Sequence, residues 1–245
     1  NDINGSQREV VFAIPQDGVQ IQSYGGTTYC VAATRVAAMN AYGSIDGWTC
    51  YRSSPELIQL FEKASVAKKI KADEFEMPEL LGDDRAMFCS QVKDAEGNVT
   101  WEASFAGPAA YGTGNFEKCW AICKWTGLTS EGKQGSHNQF IDTDIPLFRS
   151  AEAYLTYAEA KFRMGETDEA EEYVKKLRDR AHCTKSIADL GGINERTLMD
   201  EWHREFYAEG RRRTDLVRLG MFVGNSYGWE WKAGNLFGQK PIEEH

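Results

Sequence analysis

Six aromatic residues, Trp48, Trp101, Tyr24, Tyr29, Tyr51 and Tyr111, fall in or beside polar or glycine-rich stretches, with Gly25, Gly26, Gly47, Gly112 and Gly114 as neighbours. Where helix and strand periodicity fails, a chain can present a ring instead of burying it. A flat exposed ring stacks on the apolar C–H face of a sugar, while nearby Asn, Asp, Arg or Gln side chains bond the hydroxyls. Trp48 and Trp101 are the preferred stacking platforms, with Tyr24, Tyr51 and Tyr111 as further candidates. Trp120, Trp125 and Trp202 carry strand or helix periodicity and read as core.

Other chemistries find less support. His137, His182, His203 and His245 are scattered, and none sits in an HExxH or GxSxG frame. A glycoside hydrolase needs two carboxyls at a set separation, which a chain with 37 acidic residues neither supports nor excludes. Hydrolysis is therefore a secondary reading, and no catalytic residue is assigned. The cysteines at 30, 50, 89, 119, 123 and 183 do not choose a pairing among themselves. Cys119 and Cys123 are spaced unlike the CxxC pairs of zinc sites and have no His close by in sequence, so neither a metal nor another cofactor is expected.

Arg211-Arg212-Arg213 suggests a phosphate site, but Glu201, Glu205, Glu209 and Asp215 nearly neutralise it. An ion-pair network is the better reading. The net charge of -9, from 28 basic and 37 acidic residues, argues against nucleic acid as the partner. No apolar run approaches the ~18 residues of a membrane span, and Asn1 to Glu9 lack a signal-peptide pattern.

The elements that must hold these groups differ between two regions, 1–142 and 143–245. Arg8 to Pro15 is β-branched and apolar and predicts a buried strand ended by proline. Residues 16–30 predict a loop. Ser53 and Glu56 form a capping box before the Leu57, Leu60, Phe61 stripe of a short helix. Ala86–Val92 and Val99–Phe105 predict strands joined by a turn over Lys93–Asn98. Cys119–Trp125 reads as a strand, and the Gly/Ser/Gln-rich 126–140 as a mobile loop.

Beyond residue 142 the pattern is helical. Leu147, Ala151, Tyr154, Leu155, Ala158 and Phe162 form one face of a helix opened by Asp144 and Pro146 and closed by Gly165. Thr167 caps a second, with Ala170, Tyr173, Val174, Leu177 and Ala181 inward. A third runs over about 194–208, with Leu198, Trp202 and Phe206 on one side and Gly210 past its end. The helical hairpin, with Ala158, Gly165 and Ala170, matches one tetratricopeptide unit. A single repeat cannot bury its own face, so further helices are expected N-terminal to Asn1. A tetratricopeptide-type protein-interaction module is thus an alternative reading.

Thr143–Ala160 and Arg204–Gly220 together resemble the C-terminal half of the SusD/RagB family. Arg204, Glu205, Glu209, Gly210, Arg212, Asp215, Leu216 and Arg218 fall on the positions of a family signature that ties the helical half together. Trp202 stands where the family usually has Arg, which puts part of the ion-pair network in question. The resemblance implies a mainly α, SusD-like fold, with a tetratricopeptide-type hairpin and a loop-rich region with short β-strands on the ligand side. It also implies non-catalytic capture of an oligosaccharide or other nutrient at the bacterial outer-membrane surface. The implied partner is a SusC-like TonB-dependent transporter, and the implied membrane attachment is a lipid anchor that this chain does not contain.

Overall fold

The computed structural model describes residues 9–37, 39, 47–53, 55–61, 64–69, 75–80, 82–103 and 120–222. Tyr111, Cys119, Trp229, Trp231 and His245 lie outside the described residues. Along the chain run β1 (Val10–Ile14), α1 (Gly26–Thr34), α2 (Pro55–Leu60), β2 (Ala64–Lys69), β3 (Phe75–Leu80), β4 (Phe88–Cys89), β5 (Gln91–Lys93), β6 (Val99–Glu102), β7 (Ala121–Ile122), β8 (Ile145–Arg149), α3 (Ser150–Arg163), α4 (Thr167–Arg180), α5 (Glu195–Phe206) and α6 (Arg212–Arg218).

β1 pairs antiparallel with β8, with Phe12 opposite Phe148 and Ile14 opposite Ile145. The strand is where the sequence predicts it, but it is not buried: Val11 is 74% and Phe12 56% exposed. Among the described residues the ribbon has only two strands, so one face is left uncovered. β8 also shortens the expected first helix of the C-terminal region. Pro146 lacks an amide hydrogen and disfavours helical backbone at Ile145. Ile145–Arg149 therefore pairs with β1, and the helix begins only at Ser150, leaving Leu147 exposed on the strand.

α1 replaces the last third of the loop expected over 16–30. It shows no amphipathic pattern because Thr27, Thr28 and Val31 to Thr34 are all buried, on every side of the helix. Small and β-branched residues suit such close packing but hide the helical period. Gly26 opens it with φ +59, and a Cβ there would lie 2.9 Å from both Gln16 Oε1 and Ile145 Cδ1.

The hairpin β5–β6 forms as the pattern predicts, its turn closed by the Asp94 carboxylate accepting the Asn98 amide at 2.7 Å. It joins β2 and β3, for which the sequence offers no strand signal, in the order β2-β3-β5-β6. β7 pairs with β4, and its alternation is buried on both sides. Ala121 and Cys123 meet Val36, Met39, Cys89 and Val92, while Ile122 meets Leu57, Phe61, Phe88 and Tyr207. The Ser53 hydroxyl, ahead of α2, donates to the Trp120 carbonyl at 3.0 Å. The 126–140 stretch, expected to be mobile, is folded on itself and against Asp142. Leu128 bridges Gln134, and Asp142 accepts the Ser136 amide and hydroxyl at 2.6 and 2.5 Å.

α3 and α4 form the expected hairpin about Gly165, at φ +82. Thr167 is the first residue of α4 and makes no capping bond, nor does Glu166 before it. Asn194 caps α5 with a reciprocal bond to Thr197, a signal the sequence reading passed over. Ala151, Leu155 and Ala158 of α3, Val174 and Leu177 of α4, and Leu198, Trp202 and Phe206 of α5 make one core. Tyr207, just past α5, ties this core to the β4–β7 layer, donating its hydroxyl to the Arg85 carbonyl at 2.6 Å.

Candidate functional site

Two constellations could carry function, one of charges and one of rings. In the first, two buried glutamates of α5 each collect three arginines. Glu201, fully buried, pairs with Arg85 at 2.9 Å, Arg178 at 2.9 Å and Arg204 at 3.0 Å. Glu205 pairs with Arg85 at 2.9 Å, Arg149 at 2.5 Å and Arg180 at 2.8 Å. Burial alone would raise both carboxyls, but the surrounding guanidinium groups outweigh it and hold both below the usual carboxylate range. Glu209 extends the set to Arg149 at 2.8 Å and to Lys124, whose burial depresses its ammonium against the pull of Glu209.

A second group lies around Asp215, which pairs with Arg211 at 3.1 Å and Arg218 at 2.9 Å. Arg212 points elsewhere, to the Met199 carbonyl at 3.3 Å and its thioether. The acidic residues of the Glu-Gly-Arg segment are thus ion-paired, Asp215 with arginines three and four residues away, and Glu201 and Glu205 also with arginines distant in sequence. Arg85, Arg149, Arg178 and Arg180 come from the 83–85 turn, β8 and α4, and no local pattern in the sequence marks them as members. Gly210 follows α5 at φ +77, a backbone that favours glycine. A lattice of paired charges joins α5, α4, β8 and the 83–85 turn.

The second constellation is an exposed cluster of rings around α1. The Trp48–Tyr51 segment docks on the last carbonyls of α1: Trp48 N–H donates to Ala32 at 2.8 Å, Thr49 to Arg35 at 2.9 Å and Tyr51 to Ala33 at 2.8 Å. Gly47 makes this approach possible, since a Cβ there would sit 2.4 Å from the Val36 carbonyl oxygen. Trp48 is thereby held 6.0 Å from Tyr24 and 6.0 Å from Tyr29, ring centre to ring centre. Tyr24 lies 5.2 Å from Phe140 in turn. Tyr24 is 55%, Tyr29 50% and Trp48 38% exposed, so these rings present faces to solvent while bracing one another.

The 126–142 loop supplies the far wall. Gly18 N–H and Ser136 both bond Asp142, and these contacts hold its carboxyl below the ordinary value despite the opposing effect of burial. Thr28 Oγ1 accepts the Ile141 amide at 3.1 Å, and Thr27 Oγ1 donates to the Thr143 carbonyl at 2.5 Å, so the first turn of α1 anchors the loop. His137 Nδ1 accepts the amides of Gln139 and Phe140 at 3.0 and 3.2 Å, and Gln139 Nε2 donates to the Tyr24 hydroxyl.

The structure brings Tyr24, Tyr29 and Trp48 together and adds Phe140, which the sequence did not nominate. Tyr51 adjoins them: its ring is half-exposed, and burial of the phenol near Tyr29 and Cys30 raises its pKa. Trp101 departs from the expected exposed platform. It is a half-buried residue of β6, opposite Val92, packed on the Val36 and Cys89 cluster with Arg52 at 5.7 Å from its ring. Strand alternation turned it inward. Among the described residues Cys30, Cys50, Cys89 and Cys183 are free thiols.

The sequence profile of the SusD family matches residues 8–241. The chain is 39% identical over 264 residues to the starch-binding protein SusD of Bacteroides thetaiotaomicron, an alignment covering 97% of this chain and 45% of that protein. It is 32% identical over 81 residues to SusD-like protein P25 of Formosa agariphila, covering 31% of this chain and 15% of that one. The chain therefore spans less than half the length of these curated relatives. Among solved structures, surface glycan-binding protein A of B. thetaiotaomicron, in complex with laminarihexaose, superposes with TM-score 0.57 at 16% identity, over 96% of this chain and 47% of that one. A SusD superfamily protein from Bacteroides fragilis gives TM-score 0.54 at 17% identity, over 88% of this chain and 41% of that one.

Proposed function

We propose, on the premise that this chain belongs to the SusD family, that it binds oligosaccharide without chemical turnover, on the aromatic face formed by Tyr24, Tyr29, Trp48, Tyr51 and Phe140. The observation that carries the reading is the gathering of rings from three separate segments around α1, with Tyr24, Tyr29 and Trp48 exposed and Phe140 half-buried behind Tyr24. Such rings meet the C–H faces of sugar units, and Gln139, beside Tyr24, supplies polar groups for hydroxyls. A relative named for starch binding and a structural neighbour holding laminarihexaose support glucose oligosaccharides as the first ligands to try.

A non-catalytic role agrees with the charge pattern. A glycosidase acid needs a raised carboxyl pKa, whereas Glu201 and Glu205 are held down among arginines. The wider reading follows the family: residues 143–245 as a helical region with a tetratricopeptide-type hairpin, α3–α4, and residues 1–142 as the ligand side. The protein sits at the outer-membrane surface through a lipid anchor on a longer chain and hands its glycan to a SusC-like TonB-dependent transporter.

Calorimetric titration with maltoheptaose and with laminarihexaose tests the reading. Saturable binding of at least one, with no reducing ends released, is the expected outcome. Absence of binding to both overturns it.

A further inference from the structure

The loop opposite Trp48 contains a group that can fix the direction of a hydrogen bond in the ring cluster. Gln139 Nε2 donates to the Tyr24 hydroxyl oxygen. A phenol that accepts a bond from inside the protein keeps its own O–H for a partner outside, and Tyr24 is 55% exposed. The Gln139 backbone is itself held. Its amide and that of Phe140 both donate to His137 Nδ1, the His137 ring lies 5.1 Å from Phe140, and Phe140 lies 5.2 Å from Tyr24. Gly18 lets the loop approach this closely, since a Cβ there would meet the Phe140 carbonyl at 2.6 Å.

We propose that Gln139 is a positioning residue that orients the Tyr24 hydroxyl as an outward donor, so that Tyr24 both stacks on a sugar ring and donates to an oxygen of the bound oligosaccharide. The assignment rests on the oligosaccharide-binding reading of this face and deepens it. A ring alone reads only shape, whereas a fixed donor beside it selects a ligand that places an acceptor at the edge of the stacked sugar.

Affinity for whichever of maltoheptaose and laminarihexaose the parent binds is measured for Tyr24→Phe, Gln139→Leu, Gln139→Glu and the two combinations with Tyr24→Phe, with Trp48→Ala alongside. Gln139→Glu keeps a hydrogen bond to Tyr24 but reverses it, because a carboxylate only accepts. Tyr24→Phe and each Gln139 variant are expected to weaken binding about three- to tenfold at unchanged melting temperature, and the Gln139 variants to cost nothing more once Tyr24→Phe is present. A Gln139 effect of equal size in both backgrounds, or no effect of Gln139→Glu, overturns the orienting role while Trp48→Ala still weakens binding. If the parent binds neither sugar, or Trp48→Ala binds like the parent, the underlying reading fails and the proposal with it.

Discussion

The Trp202 indole N–H donates to the Glu159 carboxylate at 3.1 Å, across the packed faces of α5 and α3. The family resemblance implied an arginine at this position, and with it a gap in the charge network. No gap results, because Arg218 reaches Glu159 at 2.5 Å and Arg211 covers the indole at 3.9 Å. Trp202 thus serves as hydrogen-bond donor, core residue and stacking surface for cations. Trp202→Phe should cost about 1 to 2 kcal/mol, since Arg218 still satisfies Glu159. Trp202→Ala should cost about 3 to 5 kcal/mol through the cavity it leaves. Urea unfolding measures both, and equal losses would show that packing is not the larger contribution.

Asp215 and Arg212, adjacent in the signature, should separate in the same assay. Asp215 is buried between Arg211 and Arg218, and its removal takes one carboxylate from each guanidinium, while Arg211 keeps Glu152 and Arg218 keeps Glu159. Asp215→Ala should cost about 2 to 4 kcal/mol, below the full penalty of a dry pair. Arg212→Ala loses bonds to Met199 and the packing of its stem, about 1 kcal/mol. A larger loss for Arg212 would reverse the ranking and the physical account behind it.

The paired glutamates fix the direction of the pH response. Glu201 and Glu205 have folded-state pKa values below the ordinary 4.5. Depressed carboxyls contribute stability that is fully present above the unfolded value and is lost as pH falls through the folded one. The melting temperature should hold near neutrality and drop progressively below about pH 4.5. Glu205→Gln should melt lower at pH 7 and show a shallower acid decline. An acid decline as steep as the parent's would remove Glu205 from its cause.

The helical half was legible in the sequence because one-sided burial leaves a period. Leu155, Ala158, Val174, Leu177, Leu198 and Trp202 all face the core that their spacing marks. α1 and β7 were misread or half-read for the opposite reason, being buried on both sides. Ion pairing within the Glu-Gly-Arg segment was foreseen, yet Arg85 and Arg149, which join it from 116 and 60 residues away, leave no local trace. The site was legible only as composition. Glycines next to Tyr24 and Trp48 marked exposed rings, whereas Phe140 reaches them through a loop fold that no periodicity encodes.

Gly18 offers a test of that loop fold. Its amide bonds Asp142 at 2.8 Å, and an added Cβ would stand 2.6 Å from the Phe140 carbonyl and 2.9 Å from His137 Cβ. Both neighbours belong to the loop that buttresses Tyr24, so Gly18→Ala must push Phe140 away from it. Oligosaccharide affinity should fall by about three- to thirtyfold, the worth of one lost buttressing contact or two, and the melting temperature should fall slightly. Unchanged affinity would mean that the loop does not shape the binding face.

Trp48 and Trp101 were equal candidates in the sequence, and the structure predicts opposite outcomes for them. Trp48 stands on the tip of a segment pinned to the end of α1, 38% exposed and flanked by Tyr24 and Tyr29. Removing it takes a stacking surface from the binding face and little from the core. Trp48→Ala should weaken oligosaccharide binding by about ten- to a hundredfold, on the order of 1 to 3 kcal/mol, with the fold intact. Trp101 rests on the cluster of Val36, Met39, Cys89 and Val92, so its loss opens space beside β5. Trp101→Ala should cost about 2 to 4 kcal/mol of stability and leave affinity per folded molecule close to the parent's. Paired calorimetry and denaturation of the two variants read both quantities. If Trp101→Ala loses ligand and not stability, the binding face extends across Arg52 to β6; if neither variant loses ligand, the aromatic face around α1 is not the binding site.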